Sequence, residues 1–273
     1  MSFLAEMASL SAQRLPAPGE RAALLAACAA APPPPRLRLA GFDLVAEIKR
    51  HSPAEGELQA DTDVTARAAA YARAGAAAVS VLTEPARFGG SLEDLAAAAR
   101  ALAPLGVPAM RKDFLVDPLQ VLEARAAGAG GVLLIVAMLE DRTLGAMLDT
   151  ARAQGLFVLL EAFDEADLAR VAALSARAAG SGDAPVLVGV NTRDLRTLAV
   201  DPGRLAQLAP KLPAGFAAVA ESGLHTAADA ATAAALGYRL ALVGTALMRA
   251  AEPGRLAADM LAAGRHAARK GAA

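Results

Sequence analysis

The chain has no tryptophan, two tyrosines and a single cysteine, and aromatic residues make up 3% of it. One thiol, Cys28, excludes an internal disulfide framework and fits a reducing compartment, so a cytoplasmic location is expected. Cys28 itself lies in an alanine-rich helical run and reads as a small buried residue. The three histidines, His51, His225 and His266, are scattered without ligand spacing, so no metal site is expected. Neither sign of charge dominates. A formal net charge of −1 leaves no basic field to attract nucleic acid. No apolar window reaches the roughly 18 uncharged residues that a membrane span needs. The N-terminus also lacks the basic-then-apolar layout of a signal peptide.

What is present is small and aliphatic. Hydrophobic residues make up 55% of the 273, many of them alanine, which describes closely packed helices around an aliphatic core. A chain of this length buries roughly 75% of its unfolded surface, ample for a sizeable core. Residues 3–15 and 20–31 read as two helices, broken by Pro16-Ala-Pro-Gly19, and four prolines at 32–35 force an extended segment. Residues 1–40 are therefore expected to form a helical extension packed on a single main domain, residues 41–273. Within that domain short apolar runs alternate with alanine-rich helical stretches. Strands are expected at 44–49, 77–82, 107–112, 131–136, 156–161, 186–191, 217–221 and 240–244. Several of the helices end on a glycine, as at Gly75, Gly128 and Gly237, which accepts the left-handed backbone past a helix end. Strands alternating with helices pair in parallel. Eight such units match a closed (β/α)8 TIM barrel in size, with a doubly wound open sheet as the competing architecture. A surface loop is expected at 180–185, and residues 265–273 are expected to fray.

The ends of these apolar runs carry the chemistry. Val107-Pro-Ala-Met-Arg-Lys112 reads as interior until it stops at a lone amine. Because side chains alternate along a strand, Lys112 shares a face with Met110 and Arg111 points the other way. Glu47 and Lys49 lie two apart at the end of the first strand. The fifth ends in Glu161, the sixth in Asn191 and the seventh in Glu221. Buried charges need partners, and closing the sheet would gather two lysines, three glutamates and an asparagine at one mouth. An ion-pair network that merely caps the barrel is the plainer alternative, since a resting enzyme site also pairs its charges.

Glycines then point to the ligand. Glu221-Ser-Gly-Leu224 follows the seventh strand and Val243-Gly-Thr-Ala-Leu-Met248 the eighth. In such barrels the loops after the last two strands often hold a phosphate on backbone N–H groups, which a side chain would keep at a distance. Ser222, Gly223, Gly244 and Thr245 are the candidates for a phosphorylated small-molecule substrate. Ser52, in the loop His51-Ser-Pro-Ala-Glu-Gly56, is expected to join them from a lid.

Taken together these stretches resemble the indole-3-glycerol phosphate synthase family of tryptophan biosynthesis. The resemblance rests on Ala46-Glu-Ile-Lys-Arg-His-Ser-Pro53, Ser80-Val-Leu-Thr-Glu-Pro-Ala-Arg-Phe-Gly-Gly-Ser-Leu92 and Arg111-Lys-Asp-Phe114 in the first half. In the second half it rests on Gly189-Val-Asn-Thr-Arg-Asp-Leu195, Ala220-Glu-Ser-Gly223 and Val243-Gly-Thr-Ala-Leu-Met-Arg249. It implies a (β/α)8 barrel with an N-terminal helical extension. It also implies a lyase that converts 1-(2-carboxyphenylamino)-1-deoxyribulose 5-phosphate into indole-3-glycerol phosphate, carbon dioxide and water without a cofactor. By the same resemblance Lys112 is the general acid of ring closure and Glu161 the partner acid or base for dehydration. Lys49 would sit beside the substrate carboxylate, oriented by Glu47, and Asn191 and Glu221 would bind hydroxyl or amine groups. Ser52, Gly223, Gly244 and Thr245 would hold the phosphate with Arg193 nearby, and Leu82, Phe88 and Phe114 would line the ring pocket. The chain departs from the family at Ala54-Glu55 in the lid, in a longer stretch at 175–184, and in its N-terminal extension.

Rival readings stay open on sequence alone. Phosphoribosylanthranilate isomerase shares the phosphate end but needs a cysteine near the end of its first strand, and Cys28 lies well before it. A Schiff-base aldolase often places its lysine on strand six, which here ends in Asn191. A catalytically silent barrel that binds a phosphorylated metabolite is a third possibility. No membrane or nucleic-acid partner is expected, and the chain is expected to be a monomer or a weak homo-oligomer.

Overall fold

The structure is a computed structural model that describes residues 2–52, 56–58, 62–174 and 185–271. Eight parallel strands close on themselves: β1 Asp43–Ile48, β2 Ala78–Leu82, β3 Ala109–Lys112, β4 Gly131–Ile135, β5 Phe157–Ala162, β6 Val186–Asn191, β7 Ala217–Glu221 and β8 Leu240–Val243. Each pairs with its neighbours in sequence, and β8 returns to β1. The open-sheet alternative is thereby removed. Residues alternate between two apolar layers. Val45, Ala78, Met110, Leu159, Val219 and Leu240 fill the barrel interior, whereas Leu44, Ala46, Val79, Val132, Leu160 and Val188 face the surrounding helices. Met110 therefore marks the inward face of β3, on which Lys112 also lies.

Local chemistry starts the helices where the strands hand over. The side chains of Asp63, Ser91, Asp117 and Asp164 each accept a hydrogen bond from a first-turn N–H. Thr226 and Asp229 cap each other's backbone at the start of helix Ala227–Ala235.

The N-terminal helices are α1, Phe3–Ala12, and α2, Arg21–Ala30, with a short 3-10 turn at Pro18–Glu20 between them. α1 ends earlier than expected because Leu15, which precedes Pro16, is driven out of the helical region. α2 lies on helix Pro118–Ala126, where the Cys28 thiol donates to the Leu122 carbonyl at 3.2 Å. Arg125 donates to the carbonyls of Ala31 and Pro32, which pins the start of the proline run.

Four expectations about boundaries are corrected. β1 stops at Ile48, one residue before Lys49. Val136 opens a 3-10 turn, Val136–Met138, and Gly244 caps the short helix Thr245–Arg249, so neither belongs to a strand. Residues 265–271 do not fray. They continue helix Pro253–Gly271, whose Ala257, Met260 and Leu261 are buried, and Arg265 donates to the Phe42 carbonyl and to Asp43, both at 3.0 Å. Buried apolar surface on that helix outweighs the usual loosening of a chain end. Residues 272–273, the centre of the expected lid at 53–55 and the long stretch at 175–184 lie outside the described residues.

Candidate active site

At the C-terminal mouth of the barrel lies a cavity of about 520 Å3. Its floor is ionic. Lys112, at the end of β3, places Nζ 3.2 Å from Oε2 of Glu161 at the end of β5. Lys49 places Nζ 2.7 Å from Oε1 of Glu47. The carboxylates are buried, and each lysine side chain keeps 16% of its surface open to the cavity. Glu221 is buried beside them, in register with Asn191 and Leu242.

Two glycines make this packing possible. A Cβ on Gly189 would sit 1.8 Å from Oε1 of Glu221, and one on Gly244 would sit 2.2 Å from Oε1 of Glu47 and 3.0 Å from Nζ of Lys49. The floor is also under-bonded. With both carboxyls ionised, Oε1 of Glu161 and both oxygens of Glu221 are buried without a hydrogen-bond partner among the described residues, and a proton on Glu221 lets it bond to Glu161. A buried polar atom without a partner is costly, and a substrate hydroxyl or amine can remove that cost.

Burial and the neighbouring charges set the protonation of this floor. Burial alone would pull the Lys112 ammonium down, but the surrounding carboxyls, Glu161 foremost, outweigh it and hold the amine protonated. Glu221 moves the opposite way. Burial first, then the charge of Glu161, push it well above the ordinary carboxylate range, and the opposing pull of Lys112 does not offset them. Glu221 is thus shifted toward its neutral form, in which it can donate as well as accept a hydrogen bond.

The two ends of the cavity differ. One is apolar, lined by Phe3, Leu82, Phe88, Phe114 and Ile135. Phe114 meets Phe3 edge-on at 6.0 Å and Phe88 at 6.1 Å. Phe88 is held by a one-turn helix, Pro85–Phe88, whose N–H groups at Ala86, Arg87 and Phe88 all donate to the buried Glu84. The other end is lined by Ser222, Gly223, Gly244, Thr245 and Arg193. Ser222 and Gly223 both have positive φ, 64° and 71°, an arrangement that costs energy at the serine. Thr245 begins a helix and so presents N–H groups that have no partner within it. This is backbone chemistry suited to an anion. Asn191 Oδ1 accepts from the Arg193 N–H at 2.9 Å, which holds the loop after β6 against the same mouth.

Glu47, Lys49, Lys112, Asn191, Glu221, Ser222, Gly223, Gly244, Thr245 and Arg193, with Phe88 and Phe114, thus line one cavity, and Glu161 closes its floor through Lys112. The side chain of Ser52 lies outside the described residues. Sequence reasoning missed Phe3, which reaches the mouth from α1, and Leu195, Leu198 and Val200, which line it from the loop after β6. It also missed Glu84. An acidic residue just before a proline is a helix-start signal that could have revealed the Glu84 cap; nothing local marks Phe3.

A closed parallel barrel with an amine–carboxylate floor, an apolar ring-sized wall and a glycine-lined anion pole at the ends of its last strands defines a (β/α)8-barrel enzyme. The indole-3-glycerol phosphate synthase family model matches residues 36–260, and the chain belongs to that family. It is 45% identical over 232 residues to the indole-3-glycerol phosphate synthase of a Parafrankia species, covering 85% of this chain and 82% of the relative. It is 46% identical over 233 residues to the enzyme of that name from a Nocardioides species, covering 85% of each. Among solved structures it is similar to 3-hexulose-6-phosphate synthase from Salmonella typhimurium, with a TM-score of 0.59 at 15% identity, over 84% of this chain and 99% of that one. That likeness is one of fold.

Proposed function

We propose that the chain is an indole-3-glycerol phosphate synthase, converting 1-(2-carboxyphenylamino)-1-deoxyribulose 5-phosphate into indole-3-glycerol phosphate, carbon dioxide and water for tryptophan biosynthesis. The observation that carries the reading is the Lys112–Glu161 pair, 3.2 Å apart on the floor of one cavity between an aromatic wall and an anion pole.

The chemistry follows from that arrangement. The ring carbon bearing the carboxylate attacks the ketone carbon, and the ketone oxygen takes a proton from the Lys112 ammonium. An alkoxide is more basic than an amine, so the transfer runs downhill. The charge that develops on oxygen meets a fixed cation whose partner carboxylate is fully buried. Carbon dioxide then leaves, and its bonding electrons restore the aromatic ring. Lys49, braced at 2.7 Å by Glu47, faces the departing carboxylate. In the last step the new hydroxyl takes a proton and leaves as water while a base removes the ring-carbon proton. Glu161 is the base in this reading, and Lys112, reprotonated from water after ring closure, is the nearest acid; at the end Glu161 passes its proton back to the Lys112 amine. Asn191 and Glu221 hold the ribulose hydroxyls or the amine. Ser222, Gly223, Gly244 and Thr245, with Arg193 and Ser52, hold the phosphate, and Leu82, Phe88 and Phe114 hold the ring.

The reading also makes the protein a cytoplasmic monomer or weak homo-oligomer, with residues 1–40 as an extension of a catalytic barrel at 41–273. A single buried thiol suits that compartment. Among the described residues no helix is long and apolar enough to cross a membrane.

Fluorescence detection of indole-3-glycerol phosphate from the carboxyphenylamino substrate tests the activity directly; substrate binding without product would reject it. Glu161→Gln should stall after decarboxylation, with turnover down about 100-fold and a hydroxylated, carbon-dioxide-free intermediate visible by mass spectrometry in quenched samples. Intact substrate accumulating in its place would remove Glu161 from the dehydration step.

A further inference from the structure

The segment that follows Lys112 is held from outside the barrel by α1 and the turn after it. Asp113 is fully buried and receives five hydrogen bonds. Arg14 donates to Oδ1 at 2.8 Å and to Oδ2 at 3.0 Å, Thr83 donates at 2.7 Å, Arg111 at 3.2 Å, and the Phe114 N–H at 2.8 Å. One turn further back, Ser11 accepts at 2.9 Å from Gln120, whose own side-chain oxygen takes the Val116 N–H at 2.8 Å. At the start of α1, Phe3 meets Phe114 edge-on. Three points along one N-terminal stretch thus grip residues 113, 114 and 116, directly after the lysine on the cavity floor.

We infer that Arg14, through Asp113, is a positioning residue for the reaction, setting the backbone on which Lys112 reaches Glu161 and Phe114 faces the ring. Arg14 does more than balance charge. Arg111 is shared between Asp113 and Glu123 and is anchored by Thr83 and the Gln120 carbonyl, so Arg14 supplies the second positive charge. The second guanidinium comes from 99 residues away and adds a two-pronged grip on the same carboxylate. Such a grip fixes orientation as well as charge. The Lys112–Asp113 peptide lies between the clamped carboxylate and the reacting amine, so freedom at Asp113 passes directly to Nζ. Misplacing a reacting group by about 1 Å can cost about 100-fold in rate. The five hydrogen bonds to Asp113, consistent with its carboxyl lying below the ordinary range despite burial, leave the N-terminal stretch through Arg14 as the part whose removal would loosen the site without opening the barrel.

The inference rests on the synthase reading, and one set of measurements separates the two. The full-length chain, Arg14→Ala and Arg14→Lys are compared for kcat, KM and thermal melting, with guanidinium ion added to Arg14→Ala. Arg14→Ala should lower kcat by about 10-fold to 100-fold, with KM and melting changed far less. Guanidinium should restore part of kcat, and Arg14→Lys should fall between the two. A kcat per folded molecule equal to the unaltered chain, with only the melting temperature lowered, would overturn the proposal and leave Arg14 a structural contact. If Arg14→Ala does not fold, Arg14→Lys decides: a lowered kcat with native melting supports the brace, and an unchanged kcat overturns it. Absence of turnover in the unaltered chain would overturn the synthase reading and the brace together.

Discussion

Two charge clusters sit back to back across β3, and consecutive residues divide between them. Arg111 and Asp113 face outward, into a network with Arg14, Thr83 and Glu123. Lys112, between them in sequence, faces inward to Glu161, Glu221 and the Glu47–Lys49 pair. Both clusters are buried and rich in ionised groups, yet they are finished differently. Every acceptor site of Asp113 that the fold can reach is filled, and no step of the chemistry uses it. With both carboxyls ionised, the inner cluster leaves Glu161 Oε1 and both Glu221 oxygens without partners among the described residues. The outer network fills the acceptors of its central carboxylate and leaves over a donor, Arg14 Nε, whereas a binding site keeps acceptors in reserve for a ligand that completes them. The difference also separates a site from a network that merely caps a barrel, a distinction composition cannot make.

The comparison breaks most easily at Lys112. Lys112→Ala should lower kcat about 1,000-fold or more while the barrel still melts cooperatively and still binds substrate. Near-normal turnover would move the acid elsewhere and dissolve the division between the two faces of β3.

A smaller effect is expected on the outer face. Asp113→Asn leaves the buried Arg111 and the partly exposed Arg14 without the carboxylate they share and should cost about 3 kcal/mol of stability in urea unfolding at neutral pH. The fold holds the Asp113 carboxyl below its ordinary range. Burial alone would raise it, but the hydrogen bonds and charge of Arg14 and the charge of Arg111 overcome that. The ionised form is thus the one the fold prefers. Its stabilisation is complete above about pH 4, the value of an unfolded aspartate, and drains away as pH falls further. The gap between the two proteins should therefore narrow only below that point. A constant gap down to pH 2 would show that the charge is not what Asn removes.

Glu221 should show the smallest change and the opposite sign. Its folded value is raised, so the ionised form costs stability and that cost grows as pH climbs above about 4, where an unfolded glutamate ionises. Glu221→Gln, permanently neutral, should be equal to or about 1 kcal/mol more stable than the unaltered chain at pH 7, with the gain absent at pH 3. A lower melting temperature at pH 7 would mean that Glu221 is held charged, and the contrast with Asp113 would fail.

Most of the inner cluster was legible because its members end apolar runs. Lys112, Asn191 and Glu221 each close a strand, Glu161 comes one residue before the end of its own, and a period of two puts Glu47 and Lys49 on one face. Glycines flagged the anion pole for the same local reason. The outer clamp was not legible. Arg14 sits 99 residues before Asp113, in a stretch that reads only as one more helical turn, and Phe3 reaches the ring wall from the opposite end of the chain. The end of the last helix was misjudged too, since the bond from Arg265 to Asp43 joins residues 222 apart.

The residues of this chain, read in order, determined the eight-unit alternation, the face each strand-end group takes and the glycines that let backbone approach an anion. These follow from steric rules that act over a few positions. Only closure of the barrel decided that amines and carboxylates more than a hundred residues apart share one floor. Closure also decided that Glu221 is driven toward its neutral form and that a turn from outside the barrel grips the residue next to the reacting lysine. Desolvation and Coulomb coupling depend on distance in space, and the folded packing alone sets that distance.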